Sequence, residues 1–312
     1  MDDNLSQDAR QRRHYSFETI AACNMCGESS DNTRTMGMRL DKSQGLRPRA
    51  LHGIAVSVCR CRNCGLIYSN PQPRPRAISE HYGIPPDSYW QAYSFDTQPG
   101  YFQREIQNAK RLLNFKPGMR ALDIGVGMGL EVYLLREAGF EVFGIEPSEP
   151  FFIKARERLG MDEAHLKLAP VEEAEFPEGT FDLVTFGAVL EHLYDPDAAI
   201  TNAMRWLKPG GFLQAEVPNS DHLIAKLINL YFRGIGTGFV TNLSPMHVPF
   251  HLYEFSIDSF RAHAARRGYT VAEHRVEGAT IRNIPAFLHP LFRWWMARNG
   301  SGLQLHVWLR KE

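Results

Sequence analysis

Two runs of this 312-residue chain have residue types and spacing that suit ligand chemistry: ALDIGVGMG, Ala121 to Gly129, and EVFGIEP, Glu141 to Pro147. Gly125, Gly127 and Gly129 permit positive backbone dihedrals and leave no Cβ between main chain and ligand. A dinucleotide fingerprint would need its third glycine at position 130, where a pyrophosphate meets the helix start. That position is Leu130. The ligand expected is therefore a nucleoside without a pyrophosphate. Asp123 would repel an anion and suit a cationic or hydroxyl-bearing group. Glu146 ends the strand expected in the second run, where a carboxylate can accept hydrogen bonds from both hydroxyls of a ribose.

A second set of groups suits a metal. All five cysteines precede Gly65, and four form the pairs Cys23/Cys26 and Cys61/Cys64. Two C-x-x-C knuckles a few tens of residues apart present four thiolates to one tetrahedral zinc ion. Four thiolates leave no open position, so such a zinc is expected to be structural. Cys59, two residues before Cys61 in a strand-like alternation, reads as a buried small residue or a spare ligand rather than a reactive thiol.

These residues need elements to hold them. Arg120 to Val126 is an apolar run ending in glycine, which predicts a buried parallel strand entering a tight turn. Leu130 to Ala138 has helical periodicity, and Gly139 stops it. Strand, glycine turn and helix make half of a mononucleotide-binding unit. The prolines of CGLIYSNPQPRP, Cys64 to Pro75, mark a linker after the cysteine region. Length favours one full α/β domain with an appendage. Lys+Arg and Asp+Glu both number 35, so no global basic field gathers polyanions and nucleic acid is not expected as a partner. The N-terminal stretch is polar and reads as a frayed tail without a secretory signal. No apolar run approaches the roughly 18 residues that span a bilayer, and a cytoplasmic protein is the simplest expectation.

The glycine and acidic motifs resemble those of class I S-adenosylmethionine-dependent methyltransferases. Three further segments are similar to that superfamily in the expected order: FPEGTFDLVTFGAVLEHLYDP (Phe176 to Pro196), LKPGGFLQAEVPN (Leu207 to Asn219) and HLYEFSIDSFRAHAARRGYTV (His251 to Val271). The resemblance implies a doubly wound α/β fold, a seven-stranded Rossmann-like sheet of order 3-2-1-4-5-7-6 with the last strand antiparallel. The cysteine region is similar to the N-terminal zinc ribbon of small-molecule and sugar methyltransferases. The expected organisation is a flexible 1–18, a ribbon over 19–75 and a methyltransferase domain over 76–312, with apolar insertions near 221–244 and 284–300.

The resemblance also implies site roles. Asp123, Gly125, Gly127 and Gly129 would hold the methionine end of S-adenosyl-L-methionine, Glu146 with Pro147 the ribose, and Val171 and Glu172 the adenine. Phe186 and Gly187 would lie beside the methyl group. Methyl transfer is an in-line displacement, so the enzyme mainly aligns donor and acceptor and excludes water. A hydroxyl acceptor also needs a base, and histidine suits neutral pH. His251 is the first candidate because its segment borders the acceptor pocket of similar enzymes; His192 and His247 follow. Glu191 and His192 also read as residues that fix a loop, with Asp195, Pro196 and Asp197 as turn and helix cap. An equivalent Glu-His pair helps to bind a cation in some similar enzymes, but no further carboxylates are evident, so a catalytic metal is not expected.

The acceptor expected is a small-molecule, sugar or carrier-linked metabolite methylated on oxygen. Nitrogen or carbon acceptors and a non-catalytic cofactor-binding scaffold are the alternatives. The two insertions read as a lid, as packing or as a dimer contact, leaving monomer and homodimer both open. A third reading sets Phe292, Arg293, Trp294, Trp295 and Arg298 against a membrane surface. Tyr89, Tyr93 and Tyr101 are candidate lid residues over the donor.

Overall fold

The computed structural model describes residues 15–42, 45, 53–76, 100–278 and 286–312. Strands β1 (Tyr15–Glu18), β2 (Thr33–Leu40), β3 (Ala55–Cys61), β4 (Ile67–Ser69) and β5 (Gln72–Pro75) come first. β1 pairs antiparallel with β5, setting Phe17 opposite Pro73 and Tyr15 opposite Pro75. The tail expected through residue 18 therefore gives way to a strand at Tyr15, and the proline stretch expected as a linker is part of a ribbon. A two-stranded ribbon tolerates proline because its outer edge needs no ladder N–H. Residues 1–14 of the expected tail lie outside the described residues.

The remaining elements follow in order: α1 (Gln103–Leu113), β6 (Arg120–Ile124), α2 (Leu130–Glu137), β7 (Glu141–Glu146), α3 (Glu149–Leu159), β8 (Leu166–Leu168), β9 (Phe181–Gly187), α4 (Pro196–Trp206), β10 (Leu207–Pro218), α5 (Leu223–Gly234), β11 (Tyr253–Glu254), α6 (Ile257–Arg267), β12 (Tyr269–Glu277), α7 (His289–Arg298) and β13 (Gln304–Lys311). The main sheet runs β8-β7-β6-β9-β10-β13-β12. β6, β7, β8, β9 and β10 pair in parallel, whereas β13 is antiparallel to both β10 and β12. Renumbered within the sheet this is 3-2-1-4-5-7-6 with the last strand antiparallel, the topology the sequence resemblance implies.

Alternation along β10 shows how the core is divided. Phe212 joins Trp308, Ala109 of α1, Val132 of α2 and Phe152 of α3 on one face. Leu213 and Ala215 join Ile200 of α4, Phe260 of α6 and Leu309 on the other. Both faces of the sheet are thus covered by helices, which is why its central strands read as apolar runs.

The N-terminal strands do not close on themselves. Their second sheet has the order β11-β4-β3-β2, so the edge strand Tyr253–Glu254 comes from the C-terminal half of the chain. Arg60 pairs with Asp221 at 3.0 Å, Ser256 donates its hydroxyl to the Cys64 carbonyl at 2.6 Å, and Arg266 donates to the Asn24 carbonyl at 2.9 Å. The α5 insertion leaves Leu227, Leu230 and Tyr231 exposed, and α7 leaves Leu291, Trp294 and Trp295 exposed. Tyr89, Tyr93 and residues 284–285 of the second insertion lie outside the described residues. Among the described residues no helix is long and apolar enough to cross a membrane.

Candidate active site

The glycine turn joins β6 to α2 above the parallel strands, at their carboxyl edge. Gly125 and Gly127 have φ of +77° and +52°, conformations that suit glycine. A Cβ at Gly125 would sit 2.6 Å from Val189 Cγ2, and one at Gly129 would sit 2.6 Å from Leu159 Cδ1. Those two glycines therefore allow neighbouring chain to approach, whereas Gly127 leaves its face open. Glu146 is 5% exposed and holds the turn from below. Its Oε2 accepts the Gly127 N–H and its Oε1 the Ser148 N–H, both at 2.8 Å. Burial pushes its carboxyl upward, and these two backbone donors oppose the shift.

A cavity of about 190 Å³ opens beside this turn. Gly125, Gly127, Glu146, Pro147, Val171 and Glu172 line it, and at its other end stand Ala188, Val189 and His192. Seven of the sequence-predicted residues thus share one space, counting His192. Ala188 has φ of +53°, a costly conformation for a residue with a Cβ and one found where a site over-determines the backbone. Asp123, Gly129, Phe186 and Gly187 do not line this cavity. Phe186 is fully buried in the core, Gly129 packs on α3, and Asp123 lies beneath the turn with its Oδ1 accepting the Thr185 hydroxyl at 2.7 Å.

Sequence reasoning did not single out Glu131 or Thr185. Glu131 is 8% exposed, and its Oε1 accepts the Tyr101 hydroxyl at 2.7 Å. The signal was a charged residue on a helical position next to Val132 and Leu135, both fully buried. A second, larger cavity of about 880 Å³ lies between α1, α7 and the β10-β13-β12 edge, with Tyr101, Glu105, Glu216, Arg275 and His306 in its wall.

At the end of β9 three candidate groups converge. Glu191 Oε1 is 4.0 Å from both His192 Nε2 and His251 Nε2, and the two imidazoles meet edge to face with centroids 5.0 Å apart. Hydrogen bonding from the Leu252 N–H to the Glu191 carbonyl, at 2.7 Å, brings the two distant segments together. Burial dominates the chemistry of all three. It pushes Glu191 up to about 8 and His192 down to about 4. His251 falls to about 3, through burial first and then its neighbours His192 and His247. His247 stands apart, with Nδ1 3.0 Å from its neighbour's Val248 carbonyl. One oxygen of Glu191 and one nitrogen from each of His192 and His251 also lie within 4.8 Å of one another, a donor set of the kind that can hold a cation. The expectation of no metal there rested on the absence of further carboxylates; the third group the structure brings to Glu191 and His192 is an imidazole, His251.

The cysteines converge as well. Cys23, Cys26, Cys61 and Cys64 place their sulfurs within 4.8 Å of one another, with Cys23 to Cys64 and Cys26 to Cys61 both 3.6 Å. A tetrahedron with Zn–S of about 2.3 Å has edges of about 3.8 Å, so the sulfurs are spaced for one ion. Cys59 is buried on β3 opposite Tyr68 and is not one of the four.

Residues 122–215 match the family described as a methyltransferase domain. The chain is 27% identical over 200 residues to the ubiquinone/menaquinone biosynthesis C-methyltransferase of Geobacter sulfurreducens, covering 59% of this chain and 78% of that one. It is 33% identical over 122 residues to a ubiquinone biosynthesis O-methyltransferase of Bradyrhizobium diazoefficiens, covering 38% and 47%. Phosphoethanolamine N-methyltransferase 2 of Caenorhabditis elegans is 27% identical over 195 residues, covering 61% and 37%. The chain thus spans most of the first relative and less than half of the other two.

Proposed function

We propose, from the premise that this chain carries a class I S-adenosylmethionine-dependent methyltransferase domain, that it methylates an oxygen of a small-molecule, sugar or carrier-linked acceptor. The observation that carries the donor site is Glu146, bonded to the Gly127 N–H at 2.8 Å, in the wall of a cavity that Val171 and Glu172 also line. In this reading Glu146 and Pro147 take the ribose, Val171 and Glu172 the adenine, and the glycine turn with Asp123 the methionine end. Gly187 and Phe186 form the strand end beneath the methyl group.

His251 and His192 stand at the strand edge where an acceptor would meet the methyl group, and both are neutral near pH 7 because burial lowers them. Neutral imidazoles can accept a proton, but ones lowered this far are weak bases until a charge develops nearby. Glu191, 4.0 Å from both, supplies that charge on losing its own proton. The base is therefore a Glu-His cluster with His251 or His192 as its accepting atom. The same lowered basicity favours a second reading, an amine or stabilised carbanion acceptor that needs less help. The relatives named above, acting on carbon, oxygen and nitrogen by name, share this domain with all three acceptor types.

Four thiolates at tetrahedral spacing fit a resident zinc ion held by Cys23, Cys26, Cys61 and Cys64, which would tie the N-terminal sheet together and leave no coordination site for catalysis. The donor reading is tested by calorimetric titration of S-adenosylhomocysteine into wild-type protein and Glu146→Ala. The variant loses hydrogen bonds to the ribose and to the Gly127 turn, so affinity should fall by at least about tenfold; equal affinity would sink the assignment.

A further inference from the structure

Residues 222–253 and 278–311 contain no aspartate or glutamate, although acidic and basic residues are equal in number over the whole chain. Each stretch holds one of the insertion helices. α5 reads LIAKLINLYFRG and α7 reads HPLFRWWMAR, so the only lasting charges on either helix are positive.

Both helices also turn apolar side chains outward. Leu227, Leu230 and Tyr231 of α5 recur at i, i+3 and i+4, and Ile235 continues the line; all four are exposed, Leu230 by 63%. Leu291, Trp294 and Trp295 of α7 repeat that spacing, with Phe287 four residues earlier, and Trp294 is 60% exposed. Such spacings place the residues on one face of a helix. Ala225, Asn229 and Phe232 are buried on α5, and Met296 on α7. A surface helix ordinarily keeps its apolar stripe for the core and its polar face for water, and a contiguous exposed apolar face marks a contact with something else. The two helices are fastened at their ends. The Leu223 N–H donates to the Ser301 carbonyl at 2.9 Å, and the Asn219 amide donates to the Gly300 and Gly302 carbonyls at 2.9 and 2.8 Å.

The charges select the occupant. Arg233 of α5 and Arg293 and Arg298 of α7 are exposed, and the Arg298 guanidinium lies 5.8 Å from the Trp294 ring centroid. Lys226 is already paired with Asp221 at 2.9 Å. A twofold contact between copies would bring two cationic faces together, a like-charge contact. Anionic lipid headgroups complement them instead, with tryptophan at the headgroup level and leucine below it. We propose that the outward faces of α5 and α7 dock the protein on an anionic bilayer surface, with Arg233, Arg293 and Arg298 meeting headgroup phosphates. Trp294 and Arg298 also stand in the wall of the 880 Å³ cavity, so docking brings that cavity to the lipid.

The test is co-sedimentation of the full chain with phosphatidylcholine vesicles, with and without phosphatidylglycerol, at low and physiological salt. Binding should be at least about tenfold tighter with phosphatidylglycerol, and most of that preference should vanish as salt rises. Leu227→Ser/Leu230→Ser and Trp294→Ser/Trp295→Ser should each weaken binding by about tenfold or more, with the melting temperature unmoved beyond a few degrees because these side chains are exposed. Arg293→Gln/Arg298→Gln leaves the apolar stripes intact and should remove most of the preference for phosphatidylglycerol. No binding to phosphatidylglycerol vesicles, equal binding to both kinds, or wild-type binding by either apolar variant overturns the proposal. So does a wild-type dimer in light scattering that the apolar variants convert to monomer without loss of vesicle binding, because the faces then meet a second copy.

Discussion

The cysteine cluster and the strand-edge site are both built of buried ionisable groups, but they are finished to different degrees. The cysteines present four donors at one mutual spacing, and a single ion would satisfy all of them. The strand edge leaves valences open: Glu131 Oε2 and Glu191 Oε2 are buried without hydrogen-bond partners, and the histidines are held neutral by burial. Buried polar groups ordinarily find partners. A site whose groups saturate one another's ion stabilises the chain, whereas one with open valences waits for a ligand. The two are mechanically joined, because β11 gives the cysteine-bearing sheet its edge strand and directly follows His251 and Leu252.

That contrast predicts opposite signatures for substitutions. Cys61→Ser should damage the fold, lowering the melting temperature by about 10 °C or more and releasing bound zinc, because a structural metal site contributes directly to folding. Unchanged melting and metal content would put the cysteines on the same footing as ordinary buried residues. His251→Ala should leave the melting temperature within a few degrees, since the imidazole is partly exposed, yet reduce methyl transfer by about a hundredfold or more if the acceptor is a hydroxyl. The wild-type rate should also climb as pH rises through about 8, because Glu191 keeps its proton until then and its charge strengthens the adjoining imidazole. Retained activity in both His251→Ala and His192→Ala would move the acceptor to nitrogen or carbon.

Much of the closed site and of the fold was legible in the sequence because local pattern determines them. Each C-x-x-C knuckle is a short-range motif, and the strand-glycine-helix unit at Arg120 to Glu137 reads from apolar runs and Gly125. The capping reading of Asp195 also matches, with its side chain accepting the Ala198 N–H at 3.0 Å. Asp197 does something no local pattern announces, pairing with His263, Arg266 and Arg267 of α6. The open site was harder to read because its members come from separate segments. His251 reaches Glu191 across 60 positions of sequence, and Tyr101 reaches Glu131 across 30. Glu131 looked like one more charge on a helix, and only the packing of β9 at Gly187 shows that it points inward. The role expected of Glu146 is also broader in the structure, since its carboxylate holds the glycine turn as well as facing the cavity.

The central claim is that the glycine turn and Glu146 at the strand edge form the donor site, with the nucleoside seated in the cavity they line. A crystal structure with S-adenosylhomocysteine bound tests it most directly. The account predicts ribose hydroxyls on Glu146 and adenine against Val171. A ligand seated away from the glycine turn, or one whose ribose makes no contact with Glu146, would contradict it.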